Sequence, residues 1–288
     1  MSLAVKPQYR PEMTQSGLPP TQTVDALDEY QNVRAMQIAE ERPLTLYLDR
    51  YEVVTLMTLG TRPELLTLGY LRNQGLVKNI EDIKSIQVDW DVNAAVVTTN
   101  SEDNAWLGKV KNRTVTTGCG QGTVFGHIME QLGDIRLQAR PIKQSDLYAL
   151  LKNLNDHNDV YKTAGAVHGC ALCQGTEIIV FIEDVGRHNA VDAIAGHMWL
   201  EGIRGDDKLF YTTGRLTSEM VIKVAQMGVP ALLSRSGITQ MGLQLARDAG
   251  VMMFSRAKGN HFLIYNGREH VEFDVKLPHK LAVSHLKT

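Results

Sequence analysis

Residues 163–192 read TAGAVHGCALCQGTEIIVFIEDVGRHNAVD. The run opens on small residues: Ala164, Gly165, Ala166, Gly169, Cys170 and Ala171. As a helix, such a segment would let neighbouring elements approach closely. Residues 176–182 follow as an apolar, β-branched run of strand length. That run ends in a polar cluster of Glu183, Asp184, Gly186, Arg187, His188 and Asn189. Val191, Ile194 and Met198 then recur at i, i+3 and i+7, the helical period. A buried strand thus delivers charged groups to its C-terminal end where a helix starts. In open α/β sheets, ligands sit there.

Downstream, the alternation continues. Residues 209–213 read as a strand and 217–227 as a helix, which Gly228 and Pro230 stop. Residues 231–234 form the next strand. A helix over 239–249 follows, capped by Thr239 and ended by Gly250. Strands at 251–254 and 261–265 complete the series. This spacing predicts an α/β fold with right-handed crossovers and a largely parallel sheet, over residues 143–275. A helix over 145–155 leads into it.

Upstream, residues 1–35 are rich in Pro, Gln and Thr and read as a flexible segment. Leu44, Leu46 and Leu48 alternate with polar neighbours, and 53–59 follows after a turn, which predicts a hairpin. Pro63 opens a helix over 63–73, and Gly75 stops it. Strands at 83–88 and 94–99 complete a smaller α+β lobe, residues 36–142. That lobe includes a glycine-rich loop, 116–126, read as mobile. Its string TTGCGQGTVFG has no strand before it and no helix after it, so it is not a dinucleotide fingerprint. Residues 276–288 are a tail.

The 288 residues carry a net charge of -2, with 43% hydrophobic and 22% charged residues, as in ordinary globular proteins. No global field draws such a chain to nucleic acid or to a membrane, so any anion site is a local cluster. No apolar run is long enough to cross a bilayer, and no secretory signal opens the chain. The 3 cysteines are too few for a disulfide framework. The expectation is a reducing, cytoplasmic setting.

Each strand of the larger domain presents polar groups at its C-terminal end. The first gives Arg187 and His188; the second, Gly214 and Arg215 after Thr212 and Thr213. The third gives Arg235 and Ser236, and the fourth Ser255, Arg256, Lys258 and Gly259. Two of these loops lead into helices, whose free N–H groups favour an anion. Arginine forks match phosphate oxygens in pairs. The pattern predicts a pocket for a large phosphorylated ligand such as a nucleotide; the alternative is a set of separate surface ion pairs.

Cys119 lies in the glycine-rich loop with Lys109, Lys111 and Arg113 nearby, charges that favour a thiolate. It is a nucleophile, a sulfur carrier or an incidental thiol. Cys170 and Cys173 form a CxxC behind His168. On a helix, i and i+3 share a face, and with Cys119 they would make a Cys₃His zinc site. A deaminase-type zinc site needs a Glu near the His, which is missing here. Packing of both thiols as small apolar groups is the favoured reading, with no metal site. His188 is a ligand contact, a proton shuttle near neutral pH or a capping residue. Glu183 and Asp184 are read as structural partners of Arg187.

These residues resemble the formate dehydrogenase accessory sulfurtransferase family, FdhD/NarQ. The most specific segment is EDVGRHNAVD, residues 183–192. Gly165 and His168, GRLTSEMVIKVAQMGVP at 214–230, the segment 254–259 and LMTLGTRPELLTLGYLRNQGLV at 56–77 match in the same order. The resemblance implies a cytidine-deaminase-like three-layer α/β core without deaminase chemistry, and a homodimer. It implies a cytoplasmic sulfur carrier that takes sulfur as a persulfide from a cysteine desulfurase. The acceptor it implies is molybdenum (or tungsten) bis-pterin guanine dinucleotide, before that cofactor enters formate dehydrogenase. The family's sulfur-bearing cysteine falls on Cys119, and its cofactor-binding segment on Phe254, Ser255, Arg256, Ala257, Lys258 and Gly259. Many members carry CxxC in the loop, whereas Gly122 stands at the second position here. Cys170 and Cys173 stand where the family has small residues.

Overall fold

The computed structural model describes residues 9–100 and 135–276, together with the short strands β8 (Thr114–Val115) and β9 (Gly122–Thr123). Cys119 and the basic residues at 109, 111 and 113 lie outside the described residues.

The N-terminal lobe is built on β4 (Arg42–Leu48) and β5 (Tyr51–Thr58), the expected hairpin, followed by α1 (Pro63–Asn73). Pro63 occupies the first turn of α1, where its missing N–H costs nothing. Gly75 closes the helix at φ 62°, a conformation that disfavours a side chain. β6 (Ile83–Asp89) and β7 (Ala94–Thr99) follow, and β1 (Glu12–Met13) pairs in parallel with β6. The five-stranded order is β1-β6-β7-β4-β5. A separate hairpin, β2 (Thr21–Leu27) with β3 (Val33–Ala39), lies outside that sheet. Residues 12–35 are therefore not the structureless lead-in their composition suggested. Long-range pairing supplies what a polar sequence does not advertise.

The larger sheet has six strands: β11 (His168–Gln174), β12 (Glu177–Asp184), β13 (Leu209–Thr212), β14 (Ala231–Ser234), β15 (Met252–Lys258) and β16 (His261–Asn266). Their order is β12-β11-β13-β14-β15-β16. It is mixed rather than largely parallel: β13, β14 and β15 pair in parallel, while β12–β11, β11–β13 and β15–β16 are antiparallel. Of the small-residue segment read as a helix, Gly169, Cys170 and Ala171 lie in β11, while Gly165 and Ala166 precede it. Glycine, alanine and cysteine carry no strong period, and the two flanking strands decide its conformation. Phe181 across the pair explains one small residue, since a Cβ on Gly169 would meet its ring at 2.6 Å.

Between the strands run α4 (Arg187–Leu200), α5 (Ser218–Gln226) and α6 (Gln240–Ala249), preceded by α2 (Gln144–Leu154) and α3 (Asp159–Ala164). Thr239 accepts from the Gly242 N–H, and Gly250 ends α6 at φ 74°. Alternate strand residues feed two cores. Cys170, Phe210, Leu232 and Met253 pack with α4, α5, α6 and the N-terminal lobe in one cluster. Cys173, Tyr211, Leu233 and Phe254 pack with Leu147, Leu150 and Leu154 of α2 in the other. The first cluster runs from Leu44 to Met253, so the two lobes share one core.

The joint between the lobes is a helix crossing at backbone contact. A Cβ on Gly69 of α1 would sit 1.6 Å from the Asp192 carbonyl oxygen, and one on Gly196 of α4 2.1 Å from that of Leu65. A second joint is made by Asp184, which is 5% exposed. Its Oδ2 accepts from Thr58 Oγ1 at 2.5 Å and Leu59 N at 3.2 Å. Its Oδ1 accepts from Gly186 N at 3.0 Å and Asn189 Nδ2 at 2.8 Å.

Candidate functional site

β12 is antiparallel to β11, and β11 to β13, so β12 runs in the same direction as β13, β14 and β15. Four strands therefore end at one edge, and the N-terminus of β11 brings His168 there as well. Arg187 and His188 start α4, Gly214 and Arg215 follow β13, and Arg235 and Ser236 follow β14. Arg256 and Lys258 belong to β15 itself, which runs past the expected end at 254. Pairing with β16 jumps from Ser255↔Leu263 to Lys258↔His261, a bulge that carries Arg256 at φ 53°. Bulges of this kind re-aim a side chain, and a left-handed arginine is a strained one.

Hydrogen bonds lace the loops together. Thr213 N donates to Gly169 O at 2.9 Å, Arg235 N to Thr212 O at 3.1 Å and Arg256 N to Ser236 O at 3.0 Å. Ser234 Oγ donates to Gly214 O at 2.7 Å. Arg187 lies against Gly214, where a Cβ would meet its Cδ at 2.5 Å, so a side chain there would displace the arginine. Arg256 passes Gly237, its Nη2 3.5 Å from where a Cβ would stand. Arg187 and Arg235 are half-buried, whereas Arg215, Arg256, Lys258 and Gly259 are exposed. Arg235 also hydrogen-bonds the Tyr211 hydroxyl. Phe254 and Ala257 are core residues at 0% exposure, and Phe254 meets Phe262 edge to face, so neither presents its side chain to solvent. Ser255 is buried as well.

The two histidines of the edge feel its charge. Burial first, then Arg187 and Arg215, hold His168 below the ordinary histidine range. His168 Nδ1 lies 3.3 Å from Thr213 Oγ1, a contact that the sequence reading did not anticipate. His188 is pushed down to about 2, by burial and then by Lys223, Arg187 and His168. The shift favours the neutral imidazole near pH 7, which disfavours a proton-shuttle role there. Its Nδ1 faces Glu219 Oε2 at 3.5 Å.

The carboxylates of the distinctive segment have structural work on the backbone and between the lobes. Glu183 accepts from Val160 N and Tyr161 N, both at 2.9 Å, at the start of α3. Asp184 makes the lobe joint described above.

Cys170 and Cys173 are free thiols at 0% exposure. Because β11 is a strand, positions three apart fall on opposite faces, and the two residues belong to different cores. They do not converge on one ion, and among the described residues no group of three His, Cys, Asp or Glu is arranged to hold a metal. Burial pushes each thiol up to about 12, so neither supplies a thiolate. Replacing both with alanine is expected to cost at most about 3 kcal/mol by urea denaturation and to leave any thiol chemistry of the protein intact.

A cleft of about 210 Å³ lies at the other end of the sheet, against Leu209, Ala231 and Met252. Its Arg140 pairs with Asp206 at 3.0 Å and its Lys208 with Asp207. Both cations are paired with a carboxylate in place. Among the described residues no helix is long and apolar enough to cross a membrane.

A model of the FdhD/NarQ family matches residues 39–272. The chain belongs to this family. One relative, the sulfur carrier protein FdhD of Bacillus licheniformis, is 29% identical over 238 residues, spanning 82% of this chain and 90% of its own. The sulfur carrier protein FdhD of Wolinella succinogenes is 27% identical over 231 residues, 79% of each chain. A crystal structure from Desulfotalea psychrophila, described as that of a formate dehydrogenase accessory protein, superposes with a TM-score of 0.71. It is 24% identical and covers 88% of this chain and 100% of its own, which establishes a shared fold. The family match spans both lobes, the four loops and the stretch containing Cys119.

Proposed function

We propose that this protein is a sulfur carrier for the maturation of formate dehydrogenase. Cys119 accepts sulfur as a persulfide from a cysteine desulfurase. The acceptor is a molybdenum or tungsten bis-pterin guanine dinucleotide whose phosphates lie on the arginine edge. The names of the relatives point to sulfur carriage. The observation that carries the assignment to Cys119 is the burial of the other two cysteines, with thiols raised to about 12. In the exchange, the Cys119 thiolate attacks the terminal sulfur of the donor persulfide and the donor's cysteine thiolate leaves, so no oxidant is consumed. Intact-protein mass spectrometry after incubation with a desulfurase and cysteine tests the step. A single added sulfur on the peptide containing Cys119 is expected; an unmodified Cys119 refutes it.

The edge is tested separately. Arg256 and Lys258 are exposed and stand on one bulge beside the Ser236–Gly237 turn. The double replacement Arg256→Ala/Lys258→Ala is expected to weaken guanine-nucleotide binding on the order of tenfold at low salt. The difference from wild type should shrink at high salt, because exposed charges are screened. Equal affinity by calorimetry at low salt refutes the phosphate role.

A further inference from the structure

Four ionisable side chains stand between α4 and α5 in two rungs. His188 Nδ1 faces Glu219 Oε2 at 3.5 Å, and Lys223 Nζ donates to Asp192 Oδ2 at 2.7 Å. His188 and Asp192 are four apart on α4, as are Glu219 and Lys223 on α5, so the rungs are one helical turn apart. Asp192 is 0% and Lys223 2% exposed. The other Asp192 oxygen accepts from Asn73 Nδ2 of α1 at 2.7 Å. One buried carboxylate thereby joins three helices.

A buried ion pair of this kind adds little stability over apolar residues of the same volume, because desolvation cancels most of the attraction. What it adds is direction. Apolar contacts tolerate a slide along the helix axis, whereas a hydrogen-bonded pair fixes one register. The register matters just above the rungs, at the residue before His188. Arg187, the first residue of α4, lies across Gly214 in the loop that feeds α5. A small slide of α5 against α4 would separate that arginine from the loop carrying Arg215.

We propose that the Asn73–Asp192–Lys223 network, with the His188–Glu219 rung above it, is a positioning device that sets the arginine edge for anion binding. Asp192, Lys223 and Asn73 touch no ligand and act through α4 and α5. The inference rests on the nucleotide reading of that edge.

The test is calorimetry with guanosine diphosphate on the full chain at 25 °C, alongside thermal unfolding. Asp192→Asn/Lys223→Met removes one charge of each sign, so the net charge beside the anion is unchanged, and the amide keeps an acceptor for Asn73. The variant is expected to remain cooperatively folded and to bind roughly tenfold or more weakly. Glu219→Leu opens the upper rung and separates positioning from simple electrostatics. Removing a negative charge beside an anion site would by itself tighten binding, whereas loss of position weakens it. Weaker binding by Glu219→Leu supports the proposal and decides the matter should the double variant not fold. Wild-type affinity in the folded double variant, or equal or tighter binding by Glu219→Leu, overturns it. Failure of the wild-type protein to bind the nucleotide is a different result; it removes the reading of the edge, and this inference with it.

Discussion

Replacing Cys119 with serine is expected to abolish sulfur loading while leaving guanine-nucleotide affinity unchanged. Attack on a donor persulfide requires a thiolate, and a serine hydroxyl is not ionised at neutral pH. An unperturbed thiol, with a pKa of about 8.5, already supplies a few per cent of thiolate there. Cys170 and Cys173 cannot take over, because both are enclosed in the cores with thiols raised to about 12. Gly122 stands where the family resemblance implies a second loop cysteine, so no neighbouring loop thiol is there to discharge the persulfide as a local disulfide. The loaded state should therefore outlive that of a relative with both cysteines, measured as the decay of labelled sulfur on each protein. Formate dehydrogenase maturation in a strain lacking the native carrier gives the second readout. A Cys119→Ser protein that restores maturation without accepting label would identify a cofactor-binding chaperone rather than a sulfur carrier.

The largest effect on stability is expected from Asp184→Asn. All four groups that reach this carboxylate are donors: Thr58 Oγ1, Leu59 N, Gly186 N and Asn189 Nδ2. An asparagine has one acceptor oxygen, so its amide nitrogen would face at least one obligate donor, Leu59 N or Gly186 N, in a site that is 5% exposed. Burial pushes the Asp184 carboxyl up while those hydrogen bonds pull it down; the asparagine has no charge to bury, so the loss is that of the mismatched hydrogen bonds. A loss of about 2–3 kcal/mol follows, or roughly 4–12 °C in Tm. Glu183→Ala, one residue earlier, removes a cap from α3 and should cost only about 1 kcal/mol. Urea denaturation of the two variants checks the contrast. Equal losses would show that Asp184 does not join the lobes as the geometry indicates.

Elements whose ends are chemically marked were legible in the sequence. The α1 boundaries, Pro63–Asn73, follow from a proline at the first turn and a glycine beyond the last. The Thr239 cap and Gly250 did the same for α6, and the short apolar run Ala231–Ser234 read as the strand it is. The shared edge of Arg187, Arg215, Arg235 and Arg256 was legible too, because strand–helix alternation sends successive strands in one direction.

Other features depended on partners far away in the chain. Residues 168–174 carry no decisive period, and β12 and β13 make them a strand. That one change puts Cys170 and Cys173 on opposite faces and removes the zinc geometry a helix would have allowed. The same strand, inserted antiparallel between β12 and β13, makes the sheet mixed. Glu183 and Asp184 look equivalent in the sequence; only the position of Thr58, 126 residues from Asp184, gives the second its buried role. Nothing within a few residues marks Asp192 and Lys223, 31 residues apart, as a buried pair; α4, α5 and α1 enclose them. Caps, breakers and periods act within a few residues and are written locally. Strand identity, burial of a charge and the partner of a carboxylate depend on which distant segment arrives beside it, and packing decides that.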